Sequence, residues 1–97
     1  MSLPVDIRPD ALTDIESAAE WYESREPGLG AEYVQAMRGA IAALAERAYH
    51  HQVRNRRLRV RWLCTRRFPY RVVYCVDGER VTVLAVLHAA RHDREWR

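Results

Sequence analysis

The residues best equipped for chemistry crowd into the end of the chain. His88, Arg91, His92, Asp93, Arg94, Glu95, Trp96 and Arg97 follow an apolar run that stops at Leu87, and ionisable groups gathered at a strand end are a common way to build a site. Histidine titrates near neutrality and can pass protons. Guanidinium stays charged and grips phosphate or carboxylate in a planar fork. A second group lies upstream, where Arg57, Arg59 and Arg61 alternate with Leu58, Val60, Trp62 and Cys64. That period of two predicts a strand over 57–65 with three guanidinium groups on the face opposite the core. Arg71 extends the patch, and like charges so close repel until a partner neutralises them. Two other readings stay open from the residues alone: His88 suits a hydrogen-bonded edge position, and Arg71 suits a cross-strand pair with a carboxylate such as Glu79.

These groups need a scaffold, and the last third of the chain supplies most of it. Apolar β-branched runs flank Asp77-Gly78, a dipeptide that tolerates the positive φ angles of a tight turn, so Tyr70–Val76 and Arg80–His88 are expected to pair as an antiparallel hairpin. Further back, Val5–Arg8 predicts a short strand closed by Pro9, and Asp10 is expected to cap a first helix carrying Ala11, Leu12, Ile15, Ala18, Ala19 and Tyr22 on one face. Pro27-Gly28-Leu29-Gly30 breaks that helix. A second helix then presents Tyr33, Met37, Ala40, Ile41, Leu44 and Ala48. Neither stripe can be buried alone. The expected fold is α+β in the order β-α-α-β-β-β, with a helical hairpin packed on one face of a small twisted antiparallel sheet and arginines on the other face. Residues 1–97 make one domain.

Composition narrows the function classes. No apolar run approaches the roughly 20 residues of a membrane span, and the first residues lack the basic and apolar segments of a secretory signal, which points to a cytoplasmic protein. Cys64 and Cys75 form no Cys-x-x-Cys pair, so two reduced, buried thiols are expected and no metal or other cofactor. All sixteen basic residues are arginine, a bias that codon usage alone could produce. Residues 1–48 carry nine acids against four arginines, a net of −5, while residues 49–97 carry twelve arginines against four acids, a net of +8. Such a basic half attracts polyanions or an acidic protein and does not choose between them.

Several stretches resemble the RelE/ParE superfamily of toxins from type II toxin-antitoxin modules. They are Ala18-Ala19-Glu20-Trp21-Tyr22 before Pro27-Gly28-Leu29-Gly30, Arg67-Phe68-Pro69-Tyr70-Arg71-Val72-Val73-Tyr74, and Val83-Leu84-Ala85-Val86-Leu87-His88-Ala89-Ala90-Arg91 with Trp96 near the end. The C-terminal stretch is similar to the ParE branch, often labelled plasmid stabilisation protein. That resemblance implies a toxin that inhibits DNA gyrase by binding and is neutralised by a cognate antitoxin with an acidic or amphipathic C-terminal segment. The alternative is the RelE branch, which cleaves messenger RNA on the ribosome, and a third is a protein of this fold without toxicity.

RNA cleavage needs a base, an acid and positive charge on the phosphate. RelE-like nucleases are implied to use strand lysines, two arginines and a C-terminal tyrosine. By position the arginines fall on Arg71 and Arg91. The lysine strand falls on 57–64, and the chain has no lysine; the tyrosine position falls on Arg97. A nuclease would therefore rest on Arg71, His88 and Arg91, with His88 replacing the base. The expected binding surface for target or antitoxin is Arg57, Arg59, Arg61, Arg71, His88, Arg91 and Trp96. A homodimer is left open.

Overall fold

A computed structural model describes residues 2–50 and 53–90. Strand β1 (Val5–Ile7) leads into helix α1 (Pro9–Arg25), helix α2 (Leu29–Arg47) and a short 3-10 turn (Ala48–His50); β2 (Val53–Asn55), β3 (Val60–Cys64), β4 (Tyr70–Val76) and β5 (Val81–His88) follow. The five strands lie in the order β1-β5-β4-β3-β2. The helices pack on one face, as the α+β layout predicts. The sheet is mixed rather than wholly antiparallel, because β1 pairs parallel with β5 from Val5↔Val81 to Ile7↔Val83. A parallel neighbour needs a long crossover, and here everything between the two strands supplies it.

Pro9 sits at the first helical position, where its missing amide costs nothing. This moves Asp10 inside the first turn, so it is not the cap; Arg8 is, and it makes no capping bond through its side chain. The turn between the helices is fixed by Glu23. Its carboxylate accepts the Gly28 amide at 2.9 and 3.1 Å and the Gly30 amide at 3.0 Å, so the last turn of α1 satisfies the first free amides of α2. Gly28 has φ of 89°, the left-handed region that glycine enters freely. Gly30 is required by space: a Cβ there would lie 2.6 Å from the Ala19 carbonyl oxygen.

The main core joins Ala11 of α1 and Tyr33, Met37, Ile41 and Leu44 of α2 to Val72, Tyr74, Val81, Val83 and Val86 of the sheet. An aromatic group of Tyr22, Tyr33, Phe68 and Tyr70 closes one end, with neighbouring rings 4.9–6.3 Å apart. The Tyr74 hydroxyl donates to the Ala48 carbonyl at 2.6 Å. Burial pushes its pKa up to about 12, with Arg61 pulling the other way. The β4–β5 turn has the expected form: Gly78 takes φ of 93°, and Asp77 Oδ1 accepts the Glu79 and Arg80 amides at 3.0 and 2.9 Å. Arg80 forms an ion pair with Asp6 that ties this turn to β1.

Three expectations about the third quarter of the chain are corrected. Arg57 and Arg59 are not on a strand; with Arg56 and Leu58 they form the exposed turn from β2 to β3, where Arg59 takes φ of 55°. The strand is shorter because β2 folds back on it, pairing Val53↔Arg61 and Asn55↔Val60. Its parity is also reversed. Val60 and Trp62 face away from the helices, in a second apolar cluster with Val73, Leu84, Ala85 and Leu87, while Leu63 joins the main core. Cys64, expected to be buried, ends β3 exposed; both cysteines are free, and burial raises the pKa of the Cys75 thiol.

Candidate functional site

The sheet register decides which candidate side chains can meet. Tyr70 pairs with His88 and Arg71 with Leu87. Tyr70 belongs to the helix-side core and Leu87 to the cluster on the opposite face, and strand side chains alternate between faces. Arg71 and His88, one residue apart in register, therefore project from opposite sides of the sheet. Arg91 and Trp96 lie outside the described residues.

On the face away from the helices, the guanidinium carbons of Arg71 and Arg54 lie 5.2 and 5.6 Å from the Trp62 ring centroid. A bulge shapes this face. Val73 opposes Ala85 while Tyr74 opposes Val83, so Leu84 is an extra residue and both Leu84 and Ala85 turn to the outer cluster. The result is an apolar floor bearing one indole and two cations, a composition suited to a partner that offers carboxylates or planar rings.

Arg61 goes elsewhere. It opposes Tyr74 on the helix side, with its guanidinium 5.3 Å from the Tyr49 ring. Arg59 and Arg61 line a notch of about 350 Å³ with Tyr49, Val53, Asp77 and Gly78. His88 lies at the other end of the sheet, lining a cleft of about 260 Å³ with Asp14, Ser17 and Trp21 of α1. The predicted binding residues thus divide among the β2–β3 turn and notch, the outer sheet face and the α1–β5 cleft. Among the described residues no single patch contains them.

The sequence reading missed an apolar groove of about 590 Å³ between the helices, lined by Ile7, Leu12, Ile15, Val34, Met37 and Ile41 and rimmed by Glu16, Glu20 and Arg38. Each helix stripe was legible by itself. What was not is that the two stripes diverge enough to leave Leu12 44% exposed. Among the described residues no group of three or more His, Cys, Asp or Glu side chains could hold a metal ion, and no helix is long and apolar enough to cross a membrane.

Two helices laid on one face of a five-stranded mixed sheet, with arginines on the outer face, make a small α+β domain of the fold found in toxin-antitoxin toxins. The model of the family described as "ParE toxin of type II toxin-antitoxin system, parDE" matches residues 5–93, and the chain belongs to that family. A solved structure of the chromosomal ParDE TA system from P. aeruginosa has the same fold, with a TM-score of 0.79 at 19% identity over 90% of this chain and 96% of the other. No curated protein matches at a significant level.

Proposed function

We propose that this ParE-family toxin acts in the cytoplasm by binding DNA gyrase, without cutting nucleic acid, and is neutralised by a cognate antitoxin. The observation that carries the binding reading is the separation of Arg71 from His88 on opposite sheet faces. A phosphate held by Arg71 is out of reach of a proton carried by His88, and general acid-base catalysis needs hydrogen-bond contact with the reacting group. Every basic side chain is arginine apart from histidine, and guanidinium does not give up its proton near neutral pH.

Surface chemistry supports the antitoxin half. The apolar groove between α1 and α2 suits one face of an amphipathic helix, and the arginines around Trp62 suit an acidic continuation of the same segment. Purified protein should block gyrase supercoiling of relaxed plasmid and leave ribosome-bound message intact. Message cleavage that disappears in Arg71→Ala would overturn the reading in favour of an endoribonuclease.

A further inference from the structure

The hairpin of β2 and β3 concentrates positive charge. Of residues 54–67, seven are arginine and none is acidic. Three of the seven are engaged by this chain's own groups: Arg54 with the Trp62 ring, Arg61 with the Tyr49 ring, and Arg67 with Glu32 at 3.1 Å. The others differ in place. Arg56, Arg57 and Arg59 fall within four consecutive residues of the exposed turn at the tip, and Arg66 lies in the turn at the other end of β3. None of the three tip arginines forms an ion pair among the described residues.

The tip also breaks two local rules. Arg59 takes φ of 55°, the left-handed region where glycine or asparagine sits more easily. Leu58 beside it is 47% exposed and belongs to neither apolar cluster. Guarding an open sheet edge accounts for Arg54, because β2 is the edge strand; the tip arginines lie beyond the strand and guard no edge. Nearby acids leave the charge in place. The pairing Arg61↔Tyr74 sets the end of β4 beside the start of β3, and there Asp77 lines a notch with Arg59. Its Oδ1 accepts the Glu79 and Arg80 amides, and no ion pair joins it to Arg59. Asp6 is taken by Arg80. Against Asp77 and Glu79 stand Arg56, Arg57, Arg59 and Arg61, so this end stays net positive. Strained backbone and crowded like charges both weaken the free chain, and such features gather where a partner is met.

We infer that the β2–β3 hairpin is an arm that enters the minor groove of duplex DNA, with Arg56, Arg57 and Arg59 on the phosphates bordering it and Leu58 against the base edges. Three features select that partner. A backbone of regularly spaced phosphates answers several like charges carried on one short turn. A narrow minor groove has an enhanced negative potential that draws arginine, whose guanidinium is weakly hydrated. Proteins that enter this groove commonly set an apolar side chain such as leucine against the base steps, which gives the exposed Leu58 between Arg57 and Arg59 a use that charge pairing alone does not. The arm goes beyond gyrase binding, and the inference does not depend on which molecule the toxin inhibits.

Fluorescence anisotropy of a labelled A·T-rich duplex, titrated with the purified full chain in the absence of gyrase, tests this. Binding is expected at low salt, and three phosphate contacts predict an affinity that falls about 40-fold from 50 to 200 mM salt. Arg56→Gln together with Arg57→Gln should flatten the slope of log affinity on log salt by about 2, and Arg59→Gly, which also relieves the left-handed backbone, by about 1. Arg66→Gln removes an exposed cation at the opposite end of β3 and should leave the slope unchanged. Leu58→Gln should weaken binding about fivefold with the slope kept. Distamycin, which fills the A·T minor groove, should displace the chain. No binding at low salt, equal slopes for the tip and Arg66 variants, or indifference to distamycin would overturn the inference. So would a single-stranded RNA that binds more tightly than the duplex, or poly-glutamate that competes as well as unlabelled duplex, since a message or an acidic protein would then be the occupant.

Discussion

Gly30→Ala probes the joint that sets the angle between the two helices, and with it the width of the groove proposed for the antitoxin. Gly30 has an ordinary φ, so backbone strain plays no part; only space does. The added methyl would sit 2.6 Å from the Ala19 carbonyl oxygen and 3.1 Å from Glu23 Cβ, where ordinary contact begins at 3.4 Å. Backbone cannot rotate aside as a side chain can, so α1 and α2 must part by something under an ångström. Overpacking of this kind costs about 1–3 kcal/mol. Replacing a helical glycine by alanine returns about 0.5–1 kcal/mol. Parting the helices also stretches the 3.0 Å bond from the Gly30 amide to Glu23, worth about 1 kcal/mol. The balance is a loss of about 2 kcal/mol. Gly39, in the same helix with nothing within 4 Å of its added Cβ, is the internal control; Gly39→Ala should gain about 0.5–1 kcal/mol. Urea unfolding followed by circular dichroism measures both, with unchanged slopes. Equal stabilities for the two variants would refute the argument that the helices touch at Gly30.

Two further outcomes follow from the turns. Glu23→Ala leaves the Gly28 and Gly30 amides without their carboxylate and should lower unfolding stability by about 1–2 kcal/mol, as the loss of a helix cap does; Glu23→Gln should retain part of that. Asp77 is held below its ordinary 3.8 by the Arg80 and Glu79 amides. A carboxyl whose folded pKa is depressed contributes stability above its unfolded pKa and loses it as pH falls through the folded value. Wild type should therefore exceed Asp77→Asn at neutral pH, and the two should converge in acid below pH 3.8. A gap that persists unchanged there would assign the effect to turn shape rather than charge.

Local signals carried most of the fold. Asp77-Gly78 between two β-branched runs specified the hairpin, and the apolar stripes of both helices packed on the core except at Leu12, which is exposed, and Ala40. The parallel pairing of β1 had no such signal, because three residues carry no periodicity and the partner lies at the other end of the chain. β3 was misread for a different reason. Alternation shows which parity is apolar but not which face of the sheet it meets, and here Val60 and Trp62 turn outward into an apolar cluster of their own while Arg61 lies on the helix side. The site suffered from the same gap. The type of each candidate was plain in sequence, but the Tyr70↔His88 and Arg71↔Leu87 register that sends Arg71 and His88 apart is a tertiary fact. Asp14, Ser17 and Trp21 stand at helical spacing on one side of α1, and that spacing was available; the β5 edge that makes them a cleft was not.

The central claim is action by binding, and a supercoiling titration tests it most directly. Relaxed plasmid, a fixed amount of gyrase and rising amounts of the purified chain should show inhibition that saturates near equimolar toxin and enzyme and reverses when a cognate antitoxin is added. Supercoiling untouched at a large excess of the chain, together with ribosome-bound message cut by amounts far below stoichiometric, would contradict it.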